Sequence, residues 1–312
     1  TNVSVIEITE DTNLPRIDYT DGVGSWLFEP QSTNLITYSE DFSNASWTKS
    51  GASITNNAVI SPDGTLNADK LVESVGSGVH YLRSVVTIVS GNTYTKSFMV
   101  KKDNRRYFII TNSALSGCVF DLDLGVVSLN SSGSVGTITP LLNGWYKVTE
   151  TRAQTSGDTF CVFRDTNQLS ISFTGDGVSG GYIYGAQVEA QSFATSYIPT
   201  SGSTVTRLQD AAFGAGSSDL INSTEGVLYA EIAALANDLT NKQISLNNGT
   251  TDDRIQLYYS ASSNQISVFY KSQSGATAFI LNHTLSDITQ FNKVAFKWKQ
   301  NDFALWSNGV EV

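Results

Sequence analysis

The chain has 312 residues, with 19 Lys+Arg against 29 Asp+Glu and a formal net charge of −10, a balance that repels a polyanion and argues against nucleic-acid binding. No run of about 18 apolar residues is available to cross a bilayer, so membrane insertion is not expected. Charged residues make up only 15% and glycines number 25, a mixture suited to short strands and many turns.

Residues 1–33 read as a lead-in. Val3, Val5, Ile6 and Ile8 have strand character, turn signals follow at Asn13-Leu14-Pro15 and Asp21-Gly22, and Ser25–Pro30 forms a short apolar strand. From Asn34 onward, apolar runs recur at Tyr81–Val89, Tyr94–Val100, Tyr107–Thr111, Cys118–Leu124, Trp145–Thr151, Thr159–Arg164, Leu169–Phe173 and Tyr182–Val188. Turn chemistry such as Asn143-Gly144 and Ser156-Gly157-Asp158 separates them. Evenly spaced strands without a long helix indicate a sandwich or jelly roll. Ala68–Glu73 fits a helical turn or a strand.

The stretch Gly180–Arg207 begins as an alternating strand and then loses its period. Tyr197-Ile198-Pro199 fixes an extended exit and Ser201-Gly202-Ser203-Thr204 is small and polar, which reads as a hinge. Phe193, Tyr197 and Ile198 are apolar enough to lie against the first domain, leaving Thr200–Thr204 as the mobile part. After Arg207 a second set of strands runs through Val227–Leu235, Gln243–Leu246, Arg254–Tyr259, Gln265–Lys271, Thr277–Leu281, Lys293–Trp298 and Phe303–Trp306. Asn308-Gly309 is a hairpin signal. The expected fold is all-β: two β-sandwich (jelly-roll) domains in series. Residues 1–33 are the lead-in, 34–199 the first sandwich, 200–207 the hinge and 208–312 a second sandwich that reads as partial. Unpaired edges at Val312 would then need further chain or a neighbouring chain.

Four segments carry a resemblance: FEPQSTNLITYSEDFSNASWTKSGASI, SPDGTLNADKLVES, GWYKVTET and YIYGAQVEAQSFATSYIPTSGSTVTR. Together they resemble the carbohydrate-binding-module-like jelly roll of bacteriophage virion proteins, especially tail and fibre proteins. The strand order after Arg207 is similar to the start of a concanavalin-A-like (laminin-G-like) lectin domain. The resemblance implies a non-catalytic fibre or adhesin segment, made in the host cytoplasm and displayed on the virion surface in fibre, tail or capsid. Its expected partners are a host surface glycan, other virion proteins and further copies of itself, as in a trimer. Two other roles are compatible: a capsid or tail decoration or joining protein without sugar binding, and the accessory binding region of a polysaccharide-degrading enzyme. The same resemblance implies a structural calcium between the first and last strands. Glu40, Asp41 and Glu189 are its candidate ligands, against the alternative that they are ordinary solvated acids.

Sugar recognition combines aromatic faces with hydrogen-bonding groups. Trp47, Tyr81, Tyr107, Trp145 and Tyr184 lie in or beside strands, and most of them belong in a core. Tyr81 and Tyr107 are best placed for exposure, and with Arg105, Arg106 and Trp145 they form the candidate carbohydrate site. The basic run Lys101–Arg106 either caps a hairpin in water or meets acidic polysaccharide.

Catalytic signals are weak. Gly175-Asp176-Gly177-Val178-Ser179-Gly180 fits G-x-G-x-x-G, and Gly177–Gly181 fits G-x-S-x-G. Both chemistries need a helix directly after the glycines, whereas Tyr182-Ile183-Tyr184 reads as strand, so a glycine-rich hairpin is expected. His80 and His283 read as surface or loop residues, and no spacing of ligands for zinc occurs. Carboxylates for glycoside hydrolysis can be paired in many ways, none selected by sequence. The chain is therefore expected not to be an enzyme. Cys118 and Cys161 read as buried free thiols.

Overall fold

The computed structural model describes residues 16–19, 22–212, 219, 221–272 and 278–312. The strand expected over Val3–Ile8, the turn at Asn13–Pro15 and Asp21 lie outside the described residues. The chain divides into two compact units after Ala212. No helix among the described residues is long and apolar enough to cross a membrane.

The first unit opens with β1 (Arg16–Asp18), β2 (Ser25–Leu27), β3 (Ser32–Asn34), β4 (Thr48–Ser50), β5 (Ala52–Ile60) and β6 (Leu66–Glu73). It continues through β7 (Gly76–Val79), β8 (Tyr81–Val85), β9 (Thr93–Lys102), β10 (Tyr107–Thr111), β11 (Cys118–Asp121) and β12 (Val126–Asn130). The last strands are β13 (Val135–Pro140), β14 (Trp145–Ala153), β15 (Asp158–Arg164), β16 (Ser172–Gly175), β17 (Gly180–Glu189) and β18 (Val205–Arg207). Two six-stranded sheets result, in the orders β12-β11-β10-β15-β8-β4 and β13-β14-β9-β17-β6-β5. Successive side chains of a strand face opposite ways, so one alternating set from each sheet fills the space between them. Phe108, Ile110, Cys118, Phe120, Cys161 and Phe163 come from one sheet and Phe98, Val100, Val148 and Ile183 from the other, all in one buried cluster with Phe42 and Trp47. The Ala68–Glu73 segment is strand, within β6.

Register explains the two cysteines. Ile110 pairs with Cys118 on one side and with Cys161 on the other, so the two thiols are two strand spacings apart, about 9–10 Å. That separation exceeds the reach of a disulfide. Both are free and buried, and burial pushes the Cys118 thiol up to about 12 and Cys161 higher still.

Lys96 is the polar exception in this core. It follows Tyr94 and precedes Phe98 on the inward face of β9, is 2% exposed, and lies 3.5 Å from the fully buried Glu150. Burial pushes its ammonium below the ordinary lysine range, and Glu150 opposes the shift. Its Nζ also donates to the carbonyl of Asp158 at 3.2 Å, while Ser134 Oγ donates to Glu150 at 3.0 Å.

The ends of the first unit meet. Asn34 is fully buried, and its amide donates to the carbonyls of Ala186 (3.0 Å) and Ile198 (2.9 Å) while accepting from the N–H groups of Ile36 (3.1 Å) and Val188 (3.2 Å). β3 pairs antiparallel with β18, Ser201 bridges Tyr38, and Gly202 N–H donates to Thr37 at 2.7 Å. Residues 200–207, read from their small polar composition as a hinge, are therefore hydrogen-bonded into the first unit. Backbone pairing, to which composition is blind, holds them. The lead-in belongs to the same clasp: Glu29 is buried against Arg16 and Arg207, and its N–H donates to Asp210 at 2.9 Å.

The glycine-rich segment also differs from expectation. β16 pairs with β7, whereas β17 pairs with β6 and β9, so residues 176–179 connect two sheets rather than close a hairpin. Asp176 organises that connection by accepting from the N–H groups of Val178 (2.9 Å) and Ser179 (2.7 Å). Gly181 faces the core, and a Cβ there would come within 2.3 Å of the Phe163 ring.

The second unit has β19 (Glu225–Ile232), β20 (Lys242–Asn247), β21 (Arg254–Tyr259), β22 (Gln265–Lys271), β23 (Ala278–Thr284), β24 (Asn292–Lys299), β25 (Ala304–Ser307) and β26 (Val310–Glu311). They form two four-stranded sheets, β19-β24-β25-β26 and β20-β21-β22-β23. Ile255, Leu257, Tyr259, Ile266 and Val268 of one sheet meet Val294, Phe296, Trp298 and Leu305 of the other in a single buried cluster. The all-β sandwich architecture thus holds in both units.

Two substitutions test these assignments. Asn34→Leu strands four buried backbone groups and is expected to destabilise the first unit by at least about 3 kcal/mol in denaturant unfolding of the full chain, since each unsatisfied group costs about 1–3 kcal/mol. Lys96→Met removes the cation nearest Glu150, leaving Arg152 at 3.9 Å. Alone it is expected to cost about 3–5 kcal/mol, and adding Glu150→Leu should recover most of that loss.

Candidate functional site

The expected carbohydrate residues do not converge. Tyr81 and Tyr107 are half-buried and face outward from the sheet containing β8 and β10. There they pack on the second-layer cluster of Ile109, Val119 and Val162, which Leu169, Ile171 and Phe173 cover. Tyr81 meets Phe160 edge-on at 4.8 Å, and the Arg106 guanidinium lies 5.1 Å from the Tyr107 ring centre. Trp145 is on the other sheet, 1% exposed, with its indole N–H donating to the carbonyl of Ile60 at 3.1 Å. It packs with Ala68 and Tyr184 and has no free face for a sugar.

Within the basic run, Lys102, Arg105 and Arg106 are each paired with a carboxylate. Arg105 pairs with buried Glu73 and with Asp165, and lies 3.5 Å from Asp176. Arg106 pairs with Asp121 at 2.5 Å and lies 3.7 Å from Asp123, which also takes Lys102. Lys70 and Asp103 pair at 2.7 Å. Spacing along the sequence shows the cations, whereas the neutralising carboxylates arrive from β6, β11 and the loops after β15 and β16.

The expected calcium ligands are dispersed in the same way. Glu189 is fully buried and accepts from Ser32 Oγ (2.6 Å), Gln187 Nε2 (2.6 Å), Thr195 N–H (3.1 Å) and the Thr195 hydroxyl. Glu40 instead faces Tyr184 (3.1 Å) and Tyr197 (3.0 Å), with Asp63 on the far side of the Tyr184 hydroxyl at 2.8 Å. Burial and these carboxylates hold the Tyr184 hydroxyl well above its ordinary range. Asp41 is exposed and caps its own turn through Ser43 and Asn44. Among the described residues no group of three or more His, Cys, Asp or Glu is arranged to hold a metal.

The histidines are placed differently from expectation too. His80 is buried, with Nδ1 2.6 Å from the Gly51 carbonyl and Nε2 3.1 Å from those of Gly76 and Phe173. It ties the Gly51 turn to β7 and β16, and the partners of its ring nitrogens are carbonyls. His283 belongs to β23 rather than to a turn.

A surface missed in the sequence lies on the second unit. In β20–β22 the inward residues alternate with Gln243, Ser245 and Asn247, then Arg254, Gln256 and Tyr258, then Ser267, Phe269 and Lys271. Register sets Gln243 beside Tyr258, Ser245 beside Gln256 and Gln256 beside Phe269. The outer face is therefore a grid of amides and hydroxyls around two aromatics. Gln256 Nε2 donates to Gln243 Oε1 at 2.9 Å, and the Arg254 guanidinium lies 4.8 Å from the Phe269 ring centre. Asn241, Gln243, Arg254, Gln256, Tyr258 and Phe269 line a shallow cleft of about 160 Å³. Chemically it presents amide and hydroxyl donors and acceptors, an aromatic edge and one cation, and no nucleophile with an adjacent base. The signal in the sequence is the choice of Gln, Ser and Asn, rather than Lys and Glu, for the solvent-facing half of three alternating strands.

No protein-family model matches the chain, and no curated protein matches it.

The burial of Trp145 has a direct test. Trp145→Ala is expected to cost about 3–5 kcal/mol of first-unit stability, as for a large core side chain. Trp145→Phe, which removes the indole donor to Ile60, is expected to cost about 1 kcal/mol, one hydrogen bond.

Proposed function

We propose that this chain is a non-catalytic segment of a bacteriophage virion protein, of fibre or adhesin type, that binds a glycan of the host surface through the outer face of β20–β22. The observation that carries the reading is the amide-rich cleft around Tyr258 and Phe269, open to solvent and backed by a rigid sheet. A pyranose offers C–H bonds to an aromatic surface and hydroxyls to amides; Tyr258 supplies the first, since Arg254 lies over the Phe269 ring, and Gln243, Gln256 and Asn241 supply the second. The sequence segments that resemble phage tail and fibre jelly rolls support the virion setting. The non-catalytic reading is supported by His80, whose ring is held by carbonyls, and by the glycine motifs, which precede a strand.

The test is an array of bacterial surface glycans probed with the full chain. Binding is expected, and Tyr258→Ala and Gln256→Ala are each expected to weaken it by about tenfold, the scale of a single well-formed ligand interaction, with unchanged unfolding of the second unit. An array without a single bound glycan would remove the adhesin reading and leave a decorating or joining role.

A further inference from the structure

Three cations lie on β20–β22, and two of them are neutralised. Lys242 Nζ is 2.5 Å from Asp238, and Lys271 Nζ is 2.6 Å from Asp252. Arg254 has no carboxylate at ion-pair distance among the described residues, and Asp252, which acts on it at longer range, is already bound to Lys271. Among the described residues its Nε is buried without a hydrogen-bond partner. An unmatched donor of this kind costs free energy. Phe269 holds the guanidinium plane by a cation–π interaction, which occupies the ring face, and among the described residues no acceptor lies within hydrogen-bond distance of the terminal N–H groups of Arg254.

We infer that Arg254 reads the carboxylate of an acidic sugar, such as a uronic or sialic acid, seated in the cleft that Gln243, Gln256 and Tyr258 border. This rests on the glycan reading of that face and specifies its ligand class. A guanidinium fork matches a planar carboxylate in two parallel hydrogen bonds, and one unpaired cation matches one ligand charge. The amides and the Tyr258 hydroxyl are left for ring hydroxyls. The cleft's 160 Å³ falls below the lower end, about 300 Å³, of enclosing small-molecule pockets, as fits one sugar unit resting on a surface. The chain's net charge of −10 opposes a dense polyanion. Screening over about 8 Å at physiological salt still lets a terminal or widely spaced acidic residue approach, so the inference is for isolated acidic units.

The experiment measures full-chain affinity for oligosaccharides ending in glucuronate, galacturonate or sialate, and for the same oligosaccharides after carboxyl reduction. At least one acidic form is expected to bind about tenfold or more tighter than its reduced form, the worth of a charge-assisted bidentate pair. Arg254→Gln should bring that ratio to about one. Gln256→Glu, which sets a carboxylate beside Arg254 on the same face, should do the same while keeping the guanidinium and the fold. Equal binding of acidic and reduced forms by the unmodified chain, or a preference that survives Arg254→Gln, would overturn the carboxylate assignment and leave the glycan reading standing. Failure to bind either form, together with a blank neutral array, would overturn both.

Discussion

The first unit depends on one side-chain amide. Asn34 has two donors and two acceptor positions to satisfy, and in the interior it satisfies all of them with backbone from three places: its own strand exit, the last long strand β17, and the segment at Ile198. Main-chain groups that no sheet ladder reaches are costly to bury. A single asparagine matches them at the point where the front and back of the unit meet. The clasp built on it carries the remaining polar network: Glu189 with Ser32 and Thr195, Lys147 with the Thr195 carbonyl, and Glu29 with Arg16 and Arg207.

Strand alternation makes the architecture legible. Residues such as Phe108 and Ile110, or Leu257 and Tyr259, recur at every second position, and the sandwich follows from burying them. Long-range partnerships are not legible, because they depend on which strands become neighbours. In sequence Trp145 is an aromatic beside a turn, yet the end of β5 closes over it. Arg105 and Arg106 read as a charged patch, yet their carboxylates lie up to dozens of residues away. The hinge expectation fails for the same reason, since Val205–Arg207 has a strand partner that sequence proximity hides. The polar face of the second unit is present as a pattern in Gln243-Ile244-Ser245 and Arg254-Ile255-Gln256, but a grid of amides becomes visible only once register sets the strands side by side.

The distribution of charge links core and surface. In an acidic chain, cations are scarce, and most of those in the first unit are committed to carboxylates. Lys96 is committed most deeply, to Glu150 inside the sandwich. Arg164 and Arg254 each lie over an aromatic ring without an ion pair, but Arg164 donates to the carbonyls of Gln168 and Ser170, whereas Arg254 Nε has no partner among the described residues. Arg254 stands opposite Lys271, whose charge Asp252 already takes, so on this face its own charge has no carboxylate at ion-pair distance among the described residues.

The pairing of β3 with β18 has a mechanical consequence. Ser32 lies opposite Arg207 and Asn34 opposite Val205, so the chain enters and leaves this ladder at the same end. Tension drawn through the two termini of the unit would load the Arg16–Glu29–Arg207–Asp210 cluster first and then part the three-residue ladder bond by bond, as a zipper opens. It would not shear the long strands of the sandwich. The clasp would yield before the core, extending the chain while the two six-stranded sheets remain folded.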